Sequence, residues 1–188
     1  AELLGMIIGS RHDLQRLYGQ LAFSVMAGNG DAHLKNFGVL YHGVAEGIRL
    51  APMFDVVTTR IYRYQRSPGG PELEDHTLAL RLWSGKTERS KSYPLPEELR
   101  RFGRDVCGVR DPQAPLDRIA EAMADTLHAT GSDPRIPAGL LALRRPVWET
   151  GIRSEECNPP AACRSRTAVA QVAGGKHRQI AVAENAQA

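Results

Sequence analysis

Apolar positions Leu14, Leu17, Tyr18, Leu21, Ala22 and Val25 recur at i, i+3, i+4 and i+7 spacing. This spacing predicts a helix of about four turns with one core face. Ser10 or Asp13 can cap it and Gly28 can stop it. The triplet Arg11-His12-Asp13 looks like a catalytic-loop tripeptide, but at a helix start it reads as a cap plus first-turn charge. Two β-rich runs follow, residues 37–41 and 48–51, around a Gly-containing loop, and they read as a hairpin. The second run enters Pro52, which ends regular pairing and leaves Asp55 on the loop just beyond.

Further along, residues 65–75 are a loop by composition, and residues 77–82 alternate like a short strand. Residues 85–92 are polar loop again. Helices are expected over residues 94–109, with Leu99, Phe102 and Val106 inward, and over residues 115–129, with Leu116, Ile119, Met123, Thr126 and Leu127 inward. Gly103 weakens the first of these. A last short helix is expected over residues 136–143. Beyond about residue 151 large apolar residues thin out, and such a segment cannot offset its ordering entropy. The expected division is one α+β, mostly helical domain over 1–150 and a disordered tail over 151–188.

Composition narrows the classes. With 42% hydrophobic and 24% charged residues the chain is an ordinary globular sequence. A net charge of +3 with scattered arginines falls short of a nucleic-acid footprint, so no direct nucleic-acid binding is expected. No apolar run reaches the roughly 18 residues of a membrane span. Three cysteines, Cys107, Cys157 and Cys163, without a metal or disulfide framework fit a reducing cytoplasm, with Cys107 a small buried hydrophobe. The chain does not open with Met, and residues 1–8 already read as structured sequence, which suggests a fragment.

The chemistry concentrates in Gly28-Asn29-Gly30-Asp31-Ala32-His33-Leu34-Lys35-Asn36. A plain turn needs only Asn-Gly. The partner for the remaining polar groups is Asp55: a hairpin that folds back brings it toward Asp31 and Asn36. Three oxygen-bearing side chains could then share a hard cation such as Mg²⁺. In phosphoryl transfer one Asp handles the acceptor hydroxyl, while an Asn and a second Asp hold the metal. The five-residue step from Asp31 to Asn36 and the intervening hairpin match that template. Polar-turn readings remain for Asp31 with Asn36, a loop-bonded one for His33 and a solvated one for Lys35. His42, His76, His128 and His177 are isolated and read as surface or loop residues.

The stretch from Gly28 to Phe37, followed by Leu50-Ala51-Pro52-Met53-Phe54-Asp55-Val56-Val57, resembles the catalytic core of the HipA family of bacterial kinase toxins. Pro96-Glu97-Glu98-Leu99 through Phe102-Gly103 to Cys107-Gly108 is similar to the family's later helical region, so the resemblance covers roughly residues 10–145. It implies a protein-kinase-like C-lobe with a small hairpin after the catalytic loop. The implied activity is that of a serine/threonine kinase of a type II toxin–antitoxin system, using ATP and Mg²⁺. Asp31 would be the catalytic aspartate, and Asn36 and Asp55 the metal ligands. His33, Lys35, Asn36, Phe54 and Asp55 would lie against the nucleotide. Implied partners are a protein substrate such as glutamyl-tRNA synthetase and a helix-turn-helix antitoxin.

A Gly-rich phosphate loop and a strand lysine are not found among the 30 residues before Asp31, so the chain reads as a C-lobe without its N-lobe. Two alternatives stay open: a small-molecule phosphotransferase on the same fold, and a non-catalytic lobe that only binds a partner. Asp31-Ala32-His33 also fits the opening of a two-metal phosphoesterase, but no second ligand cluster follows.

Overall fold

The computed structural model describes residues 10–41, 43, 47–82 and 91–156. His42, His177, Cys157, Cys163 and the expected tail from residue 157 onward lie outside the described residues. Four helices form the body: α1 (Arg11–Met26), α2 (Pro96–Asp105), α3 (Gln113–Gly131) and α4 (Ala138–Glu156). Two antiparallel two-stranded ladders sit between α1 and α2. In the first, β1 (Val39–Leu40) pairs β2 (Arg49–Leu50); in the second, β3 (Arg63–Tyr64) pairs β4 (Leu73–Glu74). The fold is α+β and mostly helical, as expected.

Leu17, Tyr18, Leu21 and Ala22 of α1 are buried, as the spacing predicts. Asp13 is not the cap. The carbonyl of Ser10 accepts the amides of Asp13 and Leu14, and the Asp13 carboxylate is buried against Arg16 Nη1 at 3.0 Å. At the other end the Asn29 amide donates to the Ser24 carbonyl at 2.8 Å and the Gly28 amide to Val25 at 3.1 Å. With Gly28 at φ +70 this is a Schellman termination, which needs a residue at ease in the left-handed region.

The core joins α1 to α2, α3 and α4 through Tyr18, Leu21, Met26, Leu99, Phe102, Leu116, Met123 and Ile152. The buried Tyr18 hydroxyl donates to the Pro112 carbonyl at 3.0 Å. Tyr18→Phe removes that donor and leaves the carbonyl short of a partner, so a loss of about 1–2 kcal/mol is expected in urea unfolding. Cys107 is fully buried, and burial pushes its thiol up to about 12. Its proton is thus held in the folded chain after the unfolded chain has released it. Stability stays level below the ordinary thiol range and falls as pH rises from about 9 toward 12. Urea midpoints against pH, for the parent and Cys107→Ala, check this: the variant's decline is expected to be shallower.

Five expectations change. The helix set at 94–109 runs only over Pro96–Asp105, because the residue before a proline is held extended: Leu95 has φ −68 and ψ 155. In α3 Ala120 takes the inward position given to Thr126, which is exposed and donates to the Ala122 carbonyl. The run 77–82 is no strand: Thr77 makes a single bridge to Ser92, while the Leu78 and Ala79 amides donate to the carbonyls of Lys91 and Gly30. Loop 65–75 hides a hairpin closing, where Arg63 faces Glu74 across the ladder with Nη1 2.6 Å from Oε1.

The largest change is α4. The sequence reading stops it at 143 and opens a tail at 151, whereas the helix runs to Glu156 and buries Ile152. Pro146 inside it lacks an amide for the preceding turn. Packing carries the helix through: Val147 lies over Gly28, Trp148 meets the Phe23 ring edge to face at 6.4 Å, and Gly151 lies against the backbone of Met26.

Candidate active site

The polar nonapeptide divides into two parts with different jobs. Gly28 to Gly30 is a junction. The Gly30 amide donates to Thr59 Oγ1 at 2.6 Å, and its carbonyl accepts the Ala79 amide at 2.8 Å. The Gly28 carbonyl accepts the Arg60 amide at 3.2 Å. A Cβ on Gly30 would stand 2.5 Å from the Thr77 carbonyl oxygen and 2.9 Å from Thr59 Oγ1, so no side chain fits. Two distant segments, residues 59–60 and 77–79, are therefore pinned to backbone groups at the end of α1.

Asp31 to Asn36 presents the chemistry. Asp31 and Lys35 are exposed, whereas Asn36 is buried in a short 3-10 turn, Leu34–Asn36. Asn36 Oδ1 accepts the His33 amide at 3.0 Å, and Asn36 Nδ2 donates to Asp55 Oδ2 at 2.7 Å. The first bond sets the amide's orientation: a flipped Asn36 would turn its NH₂ toward a backbone N–H, donor against donor. Asp55 and Asn36, nineteen positions apart in the chain, are thus in direct contact. Asp55 itself sits at φ +55, the sole non-glycine residue with positive φ among the described residues. Aspartate tolerates that region better than most residues, but the conformation still costs free energy.

What folds Asp55 back is α1. Arg16 Nη1 donates to the Leu50 carbonyl at 3.1 Å, and Gln20 Nε2 donates to the Ala51 carbonyl at 2.8 Å. Four residues apart, these two side chains lie one turn apart on one helix face and hold consecutive carbonyls of the strand that leads into Pro52. Arg16, Gln20 and Thr59 escape the sequence reading; two polar residues four apart beside the apolar stripe were the available signal.

Asp31 makes no hydrogen bond or ion pair among the described residues, so the pair Asn36–Asp55 is assembled while Asp31 stands free. The His33 ring is half-buried and its Nδ1 has no hydrogen-bond partner among the described residues; its backbone carbonyl and amide brace the turn. Asn29 Oδ1 is likewise buried without a partner among the described residues. Phe54 is 47% exposed beside Asp55. Behind the junction, Arg60 stacks 5.1 Å from the Tyr93 ring and reaches His76 Nδ1 at 3.3 Å. His76 Nε2 in turn meets Glu74 Oε2 at 3.0 Å, which gives that histidine a bridging surface role. Burial pushes the Tyr93 hydroxyl up to about 12, against the opposing pull of the Arg60 cation.

No group of three or more His, Cys, Asp or Glu gathers among the described residues, so a site built wholly from such ligands is not present there. The donors on hand are the Asp55 carboxylate, the second lone pair of Asn36 Oδ1 and the Asp31 carboxylate. Oxygen donors with one or two carboxylates fit a cation that completes its shell with water and phosphate, which is the habit of Mg²⁺.

No helix among the described residues is long and apolar enough to cross a membrane. Comparison with curated proteins and with solved structures gave no match. The sequence does match the HipA-like C-terminal domain over residues 1–130, a stretch that contains the junction, the Asn36–Asp55 pair and helices α1 and α2. With well over half of its length matched, the chain belongs to the family of HipA-like C-terminal domains.

Proposed function

We propose that this chain is the protein-kinase-like C-lobe of a serine/threonine kinase toxin, which transfers the γ-phosphate of ATP to a protein hydroxyl. The observation that carries the reading is the 2.7 Å contact between Asn36 and Asp55, made with Asp55 in a left-handed conformation. An exposed carboxylate held in a strained backbone and braced by a buried amide is arranged for something other than local stability.

In the proposed reaction Asp31 orients the acceptor hydroxyl and takes its proton. The hydroxyl oxygen bonds to the γ-phosphorus, the bond from that phosphorus to the β–γ bridging oxygen breaks, and ADP leaves with the electron pair. Asn36 Oδ1 and the Asp55 carboxylate would hold Mg²⁺, which when bound neutralises charge on the phosphates. Lys35, exposed one residue before Asn36, and His33 would face the same phosphates, with Phe54 against the nucleotide. A cytoplasmic setting, a protein substrate such as glutamyl-tRNA synthetase and a helix-turn-helix antitoxin complete the proposal. They rest on the family to which the chain belongs.

The test is incorporation of label from γ-labelled ATP with Mg²⁺. Label on serine or threonine of a protein is the expected result. Label on a sugar or small alcohol instead would replace the reading with a small-molecule phosphotransferase. No nucleotide binding at millimolar Mg²⁺ and ATP would leave a lobe that only binds a partner.

A further inference from the structure

A cleft of about 530 Å³ opens between α1, α3 and α4, and none of the proposed catalytic residues lines it. Phe23 and Trp148 form its aromatic wall, with Ile119 and the buried Met123 as apolar floor. Its size lies within the range of small-molecule sites, roughly 300–1,000 Å³, and its lining is apolar as theirs is.

Two features mark the cleft as more than a packing gap. Gly19 lines it from the middle of α1, where glycine is among the least favourable residues. A Cβ at Gly19 would meet no atom within 4 Å. Nothing among the described residues therefore calls for a glycine there, and the space it leaves opens into the cleft. Arg118 stands exposed at the rim and makes no ion pair or hydrogen bond among the described residues. An apolar hollow with one unpaired cation at its mouth is complementary to a molecule with an apolar body and one negative end.

We propose that this cleft binds a free amphiphilic carboxylate, with its apolar body over Gly19 against Phe23 and Trp148 and its carboxylate on Arg118. Arg118 is the single charged residue of the lining, which suits one small amphiphile with one negative end better than a bilayer surface, where several cations would meet the headgroups. This proposal is independent of the phosphoryl-transfer reading: no residue in it belongs to the Asp31–Asp55 face.

Sodium decanoate below its micelle concentration is the probe, and the fluorescence of Trp148 in a Trp83→Phe background is the readout. A saturable change is expected, about tenfold weaker in Arg118→Gln, since a hydrogen bond to a charged group is lost. Gly19→Leu is expected to abolish it while melting at or above the parent temperature, because leucine suits a helix interior and finds open space there. Decanol binding as tightly as decanoate would overturn the role of Arg118. A non-saturable titration, or one unchanged by Gly19→Leu, would overturn the site. Co-sedimentation with anionic phospholipid vesicles that Gly19→Leu abolishes would overturn the free amphiphile in favour of a membrane lipid.

Discussion

Gly151→Ala is expected to lower the unfolding free energy by about 3 kcal/mol and the melting temperature by roughly 10 °C. The added methyl has nowhere to go: it would overlap the Met26 carbonyl group, and that group is backbone, near the end of α1. Relief requires α4 to move away from α1, which loosens Ile152 in the core and shifts Val147 off Gly28. Gly139→Ala in the same helix is the control. A Cβ there meets nothing within 4 Å, so the change is expected to be neutral or to stabilise by about 0.5–1 kcal/mol. Differential scanning calorimetry of the two variants separates a steric cause from a change in helix propensity, since both make the same chemical substitution in one helix.

Asp31→Ala and Asp55→Ala are expected to fail in different ways. Asp31 is exposed and bonded to nothing among the described residues, so its loss leaves the fold and the Asn36–Asp55 pair intact. In the proposed mechanism it removes the group that takes the hydroxyl proton, so transfer is expected to fall about 10²–10⁴-fold with Mg²⁺–ATP binding retained. Asp55→Ala deletes the carboxylate that braces Asn36 and that would hold the metal. Nucleotide binding and transfer are then both expected to drop. Titration calorimetry beside a transfer assay distinguishes the two patterns. Equal loss of binding in both variants would remove the division of labour proposed for these carboxylates.

Much of the candidate site is legible in the chain because its spacing is local. Asp31 to Asn36 spans six residues, and a hairpin followed by Pro52 limits where Asp55 can go. The apolar stripe of α1 is equally plain, since Leu17, Tyr18 and Leu21 repeat with the helix period and lie in the core. What hides is set by distant partners. Pro146 predicts a helix end by local rules, but Val147, Trp148 and Ile152 find partners on α1 that outweigh it. The β3–β4 pair is two residues long and solvent-facing, so it carries no apolar alternation to detect. Leu78 and Ala79 look like a strand, but their amides bond single carbonyls in separate segments. The glycines of Gly28-Asn29-Gly30 draw attention as part of the chemistry, whereas their backbone holds the scaffold together.

That junction has a consequence for how the protein is made. The loop carrying Asp31 and Asn36 is synthesised before the groups that pin it, which come from Thr59, Ala79 and Val147. At about 5–20 residues per second, on the order of ten seconds separate the loop from the helix that packs over it. Through that interval the nascent chain carries Asp31 and Asn36 without the complete framework around their loop. A chain halted before α4 therefore carries the sequence motif and the contacts from Thr59 and Ala79, but lacks the Val147 side chain that covers Gly28.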